Sequence, residues 1–228
     1  MEMATQSQKT RIITPTEVST KMRLDYTHGL RDQTSKMLDA ILALTAKIEK
    51  PGFDLHAILV EAGEFISRHL GIASVAIGLW NPALRLYKYE VVIGLKPEAV
   101  KGFMGLSYTR DELINPKTYP QHDISRMTKL FLGEEHPYAE NEEFSYDKPI
   151  LLGMNRYAVD ESLEADYLCT FFRGPGDEIL GWMDISGTRA KKLPDSNSIR
   201  WIELVGQILG LAIRIRAHSG AEISHPAH

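Results

Sequence analysis

Apolar residues recur at helical spacing at Met37, Leu38, Ile41, Leu42, Leu44 and Ile48, and the run stops at Pro51-Gly52, which predicts a helix ending there. Upstream, Thr14-Pro15-Thr16-Glu17 combines a capping hydroxyl, a proline at the first helical position and a glutamate that reaches back, so an N-terminal helix starts there, with Gly29 breaking or bending it. Asp54 stands where a cap is needed for the next helix. Its Leu55, Ile58, Leu59, Ala62, Phe65 and Ile66 form one apolar face, and Leu70-Gly71 ends it. The period then changes. Residues 74–80 are a β-branched and apolar run closed by Asn81-Pro82, and residues 86–93 alternate as a hairpin partner. That alternation predicts Tyr87, Tyr89, Val91 and Ile93 on one face and Lys88 and Glu90 on the other.

From residue 95 to residue 165 the periodicity fades, apart from a short helix expected over residues 124–132. The stretch is too long for a plain connection in a compact domain. Its aromatics, Tyr108, Tyr119, Tyr138, Phe144, Tyr146 and Tyr157, favour an ordered covering loop over a disordered insert, since disordered segments are poor in such residues. Residues 167–173 and 178–186 then pair across Gly174-Pro175-Gly176-Asp177, with Cys169 alternating with Tyr167 and Phe171. Beyond a basic turn, Pro194 and the capping candidates Asp195, Ser196 and Ser198 start a helix expected to run to about His218 and to stop at Gly220. That helix carries two apolar stripes, Ile202, Val205, Leu209, Ala212 and Leu204, Ile208, Leu211, Ile215. A helix that packs only on its own sheet needs one, so the second predicts another partner. A second copy of the chain is the favoured partner; mutual cover of the N- and C-terminal helices within one chain is the alternative.

Composition narrows the class. The chain has 228 residues, 43% hydrophobic and 25% charged, which is ordinary globular composition with a sizeable core. The balance of 26 basic against 30 acidic residues, net -4, argues against nucleic acid as a partner. A single cysteine allows no internal disulfide, the N-terminus lacks the apolar core of a signal peptide, and no stretch approaches 18 uninterrupted apolar residues; a cytoplasmic protein without membrane attachment is expected.

The order helix, helix, strand hairpin, irregular lid, strand hairpin, long helix resembles a GAF domain, the small-molecule sensing fold related to PAS. The residues that carry the likeness are LDAILALTAKIEKPGFDLHAILVEAGEFISRHLGIASVAIGLWNP at 38–82 and EILGWMDISGTRAKKLPDSNSIRWIELVGQILGLAI at 178–213. The resemblance implies an α+β fold: a central antiparallel sheet with the N- and C-terminal helices packed on one face and an irregular lid over a ligand pocket on the other. The chain then divides into an N-terminal extension and helix (1–36), a GAF-like sensor domain (37–217) and a disordered tail (218–228). Within that frame Ile179, Gly181, Met183 and Ile185 are expected against the helices, and Leu180, Trp182 and Asp184 toward the pocket. The candidate ligand-binding residues are Trp182, Asp184, Cys169, Phe171, Tyr89, Tyr157 and Arg156.

The resemblance leaves the ligand open, with haem or a nucleotide both within its range; taken with the doubled apolar stripes, it leads to the expectation of a non-enzymatic homodimeric sensor that reports to a partner protein. Asn155-Arg156-Tyr157 followed by Asp160-Glu161 is similar, in compressed and substituted form, to the motif of cyclic-nucleotide-binding GAF domains. One cysteine cannot form and resolve an internal disulfide, which argues against methionine sulfoxide reduction, and no Cys-His pair suggests a bilin. His122-Asp123, Glu134-Glu135-His136 and Glu140, Glu142, Glu143 have no regular metal-ligand spacing and read as a solvated acidic lid. Lone Cys169 in mid-strand reads as a small buried hydrophobe. No catalytic residue or metal site is assigned. The rival classes are a small redox or hydrolytic enzyme using Cys169 or Asp184, and an interaction module whose pocket is filled by side chains such as Trp182 and Tyr157.

Overall fold

The structure, a computed structural model, describes residues 20–22, 24, 33–117, 119–135, 156–163 and 165–222. The capping box expected at 14–17, the bend at Gly29, the aromatics Tyr138, Phe144 and Tyr146, and His136 with the acidic run that follows it lie outside the described residues. The chain divides into two compact units, Met1–Ala40 and Ile41–His228. The described residues of the first are helical and include the start of α1, Gln33–Ile48. In the second, Ile41, Leu44 and Ile48 of α1 are buried.

Helix α2, Leu55–Leu70, begins as its sequence requires. The Asp54 carboxylate accepts the backbone N–H groups of His56 (2.9 Å) and Ala57 (3.3 Å), and Gly71 closes the helix in the left-handed region at φ 65°. Strands β1, Ile72–Asn81, and β2, Leu86–Ile93, follow as a hairpin. Then come α3, Pro97–Gly105; β3, Ser107–Tyr108; α4, Arg110–Ile114; β4, His122–Asp123; β5, Thr128–Phe131; β6, Tyr167–Arg173; β7, Ile179–Thr188; and α5, Ser196–Glu222. The seven strands form one antiparallel sheet in the order β3-β2-β1-β7-β6-β5-β4, with two-residue strands at both edges. Helix α2 packs on β1 and β2, α5 packs on β6 and β7, and the two helices touch each other. Helix α3 also packs on β2, from the other side, through the edge-on pair Phe103–Tyr89 at 5.1 Å. The α+β architecture and its single antiparallel sheet are those expected from the sequence.

In place of the helix expected over 124–132 there is a bend followed by a short strand. Ser125 turns the chain by accepting the N–H groups of Met127 and Thr128 (3.0 Å each), and Thr128–Phe131 then pairs with β6. Four residues are too few for a period to separate strand from helix. Two register shifts revise the predicted faces. Between Ile77 and Gly78 of β1, Val91 pairs with Ile77 but Tyr89 with Gly78, so Glu90 is an extra residue on β2. Tyr87 and Tyr89 therefore face the opposite side from Val91 and Ile93, the latter reaching toward Gly63 on α2. A second shift, at Phe172/Arg173, brings Ile179 into the aromatic cluster with Trp182 rather than against the helices. Its carbonyl accepts the Tyr87 hydroxyl at 2.8 Å.

On α5, Ile202, Val205, Leu209 and Ala212 are buried, and Ile208 of the second stripe is buried with them. Leu204, Leu211 and Ile215 are exposed by 40%, 44% and 37%, as are Leu38 and Leu42 of α1 by 47% and 63%; these values separate a buried stripe from an open one on each helix. Helix α5 runs through Gly220 to Glu222, past the expected stop. Asp195 starts it, its carboxylate accepting the Ser198 N–H at 2.7 Å, and that bond holds its pKa below the ordinary value. The sign follows: stability from this cap is present above the unfolded carboxyl pKa and is lost as pH falls through the lower folded one. Asp195→Ala should cost about 1 kcal/mol in urea denaturation at neutral pH, and less in acid. No helix among the described residues is long and apolar enough to cross a membrane.

Candidate functional site

On the face of the sheet away from α2 and α5, the strands present Ser74 and Ala76 from β1, Tyr89 from β2, Trp182, Asp184 and Ser186 from β7, and Tyr167 and Cys169 from β6. The register explains the grouping: Asp184 lies opposite both Ala76 and Cys169, and Ser186 opposite both Ser74 and Tyr167. Over this floor residues 95–117 and Tyr119 fold back as a roof that contributes Leu95, Phe103, Leu106, Leu113 and Tyr119. Between floor and roof is a cavity of about 110 Å³.

Trp182 is the largest group in the floor and is 1% exposed. Its ring meets Tyr89 at 5.0 Å, Tyr87 at 6.0 Å and Tyr108 at 6.1 Å, all edge-on, the arrangement that aromatic quadrupoles favour. The indole lies flat over β1 because Gly78 has no side chain; a Cβ there would fall inside the ring's van der Waals envelope. The polar centre is Asp184. Its Oδ2 accepts both the Tyr89 hydroxyl (2.6 Å) and the Trp182 indole N–H (2.7 Å). Burial, reinforced by the Asp184 charge, pushes the Tyr89 hydroxyl well above its ordinary pKa. The Cys169 thiol, opposite Asp184 across the strands, is raised well above its ordinary value, by burial first and by the Asp184 carboxylate second. Beside them the Ser74 and Ser186 hydroxyls meet at 2.6 Å.

Four of the seven candidate residues thus meet at one cavity: Tyr89, Cys169, Trp182 and Asp184. Phe171, 1% exposed, lies in the aromatic cluster next to Trp182, its partner across the strands. Arg156 and Tyr157 do not join them. Arg156 is bound to the buried Asp166 through both carboxylate oxygens (2.9 Å each) and to Glu134 (2.9 Å), while the Tyr157 side chain is 86% exposed. Those bonds raise the Arg156 pKa and lower that of Glu134. The nucleotide-like string is dispersed further by Asp160, which pairs with Lys192 at 2.5 Å, and Asn155 lies outside the described residues. His122 bonds Glu135 at 2.6 Å, and among the described residues no cluster of His, Cys, Asp and Glu could hold a metal ion.

The reading of single residues missed Ser74, Ser186 and the roof residues Phe103, Leu106 and Leu113. Ser186 was within reach, since it continues the alternation of Trp182 and Asp184 by one step. The others need the register and the fold-back of the roof.

A thiol so buried and so basic is a poor nucleophile. In the native protein at pH 8, Cys169 should resist iodoacetamide and become reactive only in denaturant, as mass spectrometry of the labelled chain would read.

No family model matches the chain, and no curated protein matches it in sequence. Solved structures do. The GAF domain of a phosphoenolpyruvate-protein phosphotransferase from Coxiella burnetii is similar with a TM-score of 0.52 and 14% identity, over 81% of this chain and 96% of that one. A bacteriophytochrome from R. palustris is similar with a TM-score of 0.50 and 9% identity, over 82% of this chain and 39% of that one. The likeness read from residues 38–82 and 178–213 therefore holds at the level of architecture, and the chain has the fold of a GAF domain.

Proposed function

We propose that this chain is a non-enzymatic, ligand-responsive sensor module of the cytoplasm that binds a small molecule between the sheet and its roof and reports occupancy to a partner protein through its helices. The cavity carries this reading: aromatic bulk surrounds one carboxylate and two hydroxyls, the division of apolar area from a few placed polar groups that binding pockets show. Its size favours a small ligand. At about 110 Å³ it is well below the roughly 300–1,000 Å³ of pockets for drug-sized molecules, so haem and nucleotides are disfavoured. The two similar structures support the fold on which such a module is built, and the functional step rests on the cavity.

Signalling needs a state that the ligand prefers. The roof is attached to the sheet through short elements, α3, β3 and α4, and Tyr89 touches both roof and floor. On the opposite face, Glu203 of α5 accepts a hydrogen bond from Thr128 of β5 at 2.8 Å, and Thr128 meets Thr170 of β6 at 3.0 Å. A shift of β6 on binding would thereby reach α5. The exposed Leu204, Leu211 and Ile215 are the surface through which α5 would meet a second copy.

The enzyme reading is weaker because the Cys169 thiol is buried and its pKa raised, and the filled-pocket reading is weaker because Tyr157 points away and space remains beside Trp182. The test is thermal melting against a panel of small metabolites, for the protein and for Ala76→Leu, which narrows the cavity. A saturable rise in Tm that Ala76→Leu abolishes supports the sensor; no rise with any compound overturns it. Sedimentation of Leu204→Lys, Leu211→Lys against the parent chain tests the dimer, with a change from dimer to monomer expected.

A further inference from the structure

We propose that the cavity selects a small organic cation, an amine or methylated ammonium of on the order of five heavy atoms, held between the Asp184 carboxylate and the surrounding aromatic rings. This rests on the reading above that the cavity is a ligand site, and adds the chemical class.

Asp184 supplies the carboxylate of the cavity. Its described neighbours, the Tyr89 hydroxyl, the Trp182 indole N–H and the Cys169 thiol, are all able to donate, and the indole can only donate. Such a set favours the ionised carboxylate, which accepts and does not give. The rest of the lining is suited to a positive charge as well. Tyr89, Tyr108, Tyr119, Phe131, Tyr167 and Trp182 surround the space. Aromatic faces attract ammonium groups, most strongly where water is excluded. None of the described residues that line the cavity is basic. Lys129, which acts electrostatically on Cys169 from the neighbouring strand, is bound to Asp123.

Size and sign then exclude alternatives. A cavity of about 110 Å³ is somewhat smaller than the ~150 Å³ apolar cavity that accepts benzene, so a tetramethylammonium-sized guest is near the upper limit. Anions of similar size, such as acetate, meet the Asp184 charge, and none of the described lining residues is basic. A neutral isostere such as tert-butanol fits but forfeits both the carboxylate and the cation–π attraction. The Ser74 and Ser186 hydroxyls can accept the N–H groups of a less methylated amine.

The experiment is calorimetric titration and thermal melting of the full chain with methylammonium, trimethylammonium, tetramethylammonium, tert-butanol and acetate at matched ionic strength. The expected result is saturable binding of at least one ammonium, about tenfold or more tighter than tert-butanol, with acetate silent. Asp184→Asn should remove that preference. Should Asp184→Asn fail to fold, Tyr119→Leu in the roof takes its place: it should weaken the ammonium while leaving tert-butanol unchanged. Equal affinity for tert-butanol and the ammoniums, or an ammonium preference that survives whichever variant folds, overturns the proposal. Binding of tert-butanol without the ammoniums sinks the cation class yet leaves the cavity as a ligand site; silence from all five compounds sinks the cation class as well, and the ligand-site reading falls with it only if the metabolite panel is silent too.

Discussion

Trp182→Ala should lower the free energy of unfolding by about 3–5 kcal/mol, the usual cost of removing a large aromatic from a packed core. The ring is 1% exposed, lies edge-on to three tyrosines and covers Gly78, so truncation forfeits area, quadrupole contacts and the cover over β1 at once. It also removes the indole N–H that Asp184 accepts at 2.7 Å. Trp182→Phe narrows these contributions, since it keeps one aromatic ring in the packing and loses the donor with the rest of the indole; it should fall between the parent and Trp182→Ala. The urea midpoint measures both variants. Indole added to Trp182→Ala should restore part of the lost Tm by occupying the enlarged space. A loss below about 1 kcal/mol would mean that the ring is not sandwiched between sheet and roof.

Asp166→Ala should be comparably severe, at about 3–5 kcal/mol, for a different reason. The Asp166 side chain has no solvent exposure, accepts the N–H groups of Gly133 (2.9 Å) and Leu163 (2.7 Å), and binds Arg156 through both oxygens. Its removal leaves those groups without their acceptor and Arg156, itself mostly buried, with only the more exposed Glu134. Arg156→Ala should cost less than Asp166→Ala in the same denaturation series. That order is the check: the reverse would place the weight on the Arg156–Glu134 pair instead of the buried carboxylate.

The two sites bear on how far the amino-acid pattern reaches. Trp182 and Asp184 were legible because alternation along β7 is unbroken over the cavity, so a period of two assigns their face correctly. The same rule failed on β2, where the extra residue Glu90 moves Tyr89 and Val91 to opposite sides; nothing in the local composition marks that bulge. Arg156 was read as a ligand residue because a basic group in a polar loop suits an anion equally well as an internal carboxylate. Only the fold brings Asp166 next to it. Asp54 and Asp195, whose cap bonds span two or three residues, were readable for the opposite reason: local interactions need no tertiary context. The strand at 128–131 falls between these cases, being too short to show a period and held by pairing with a strand some forty residues away.

The sheet ends at each side in a strand of two residues, β3 and β4. Along these two outermost strands an incoming chain meets a template of only two residues for adding a further strand, a protection against fibril-like stacking. Growth of the molecule into larger assemblies is thereby steered away from hydrogen-bonded ladders and left to contacts between side chains.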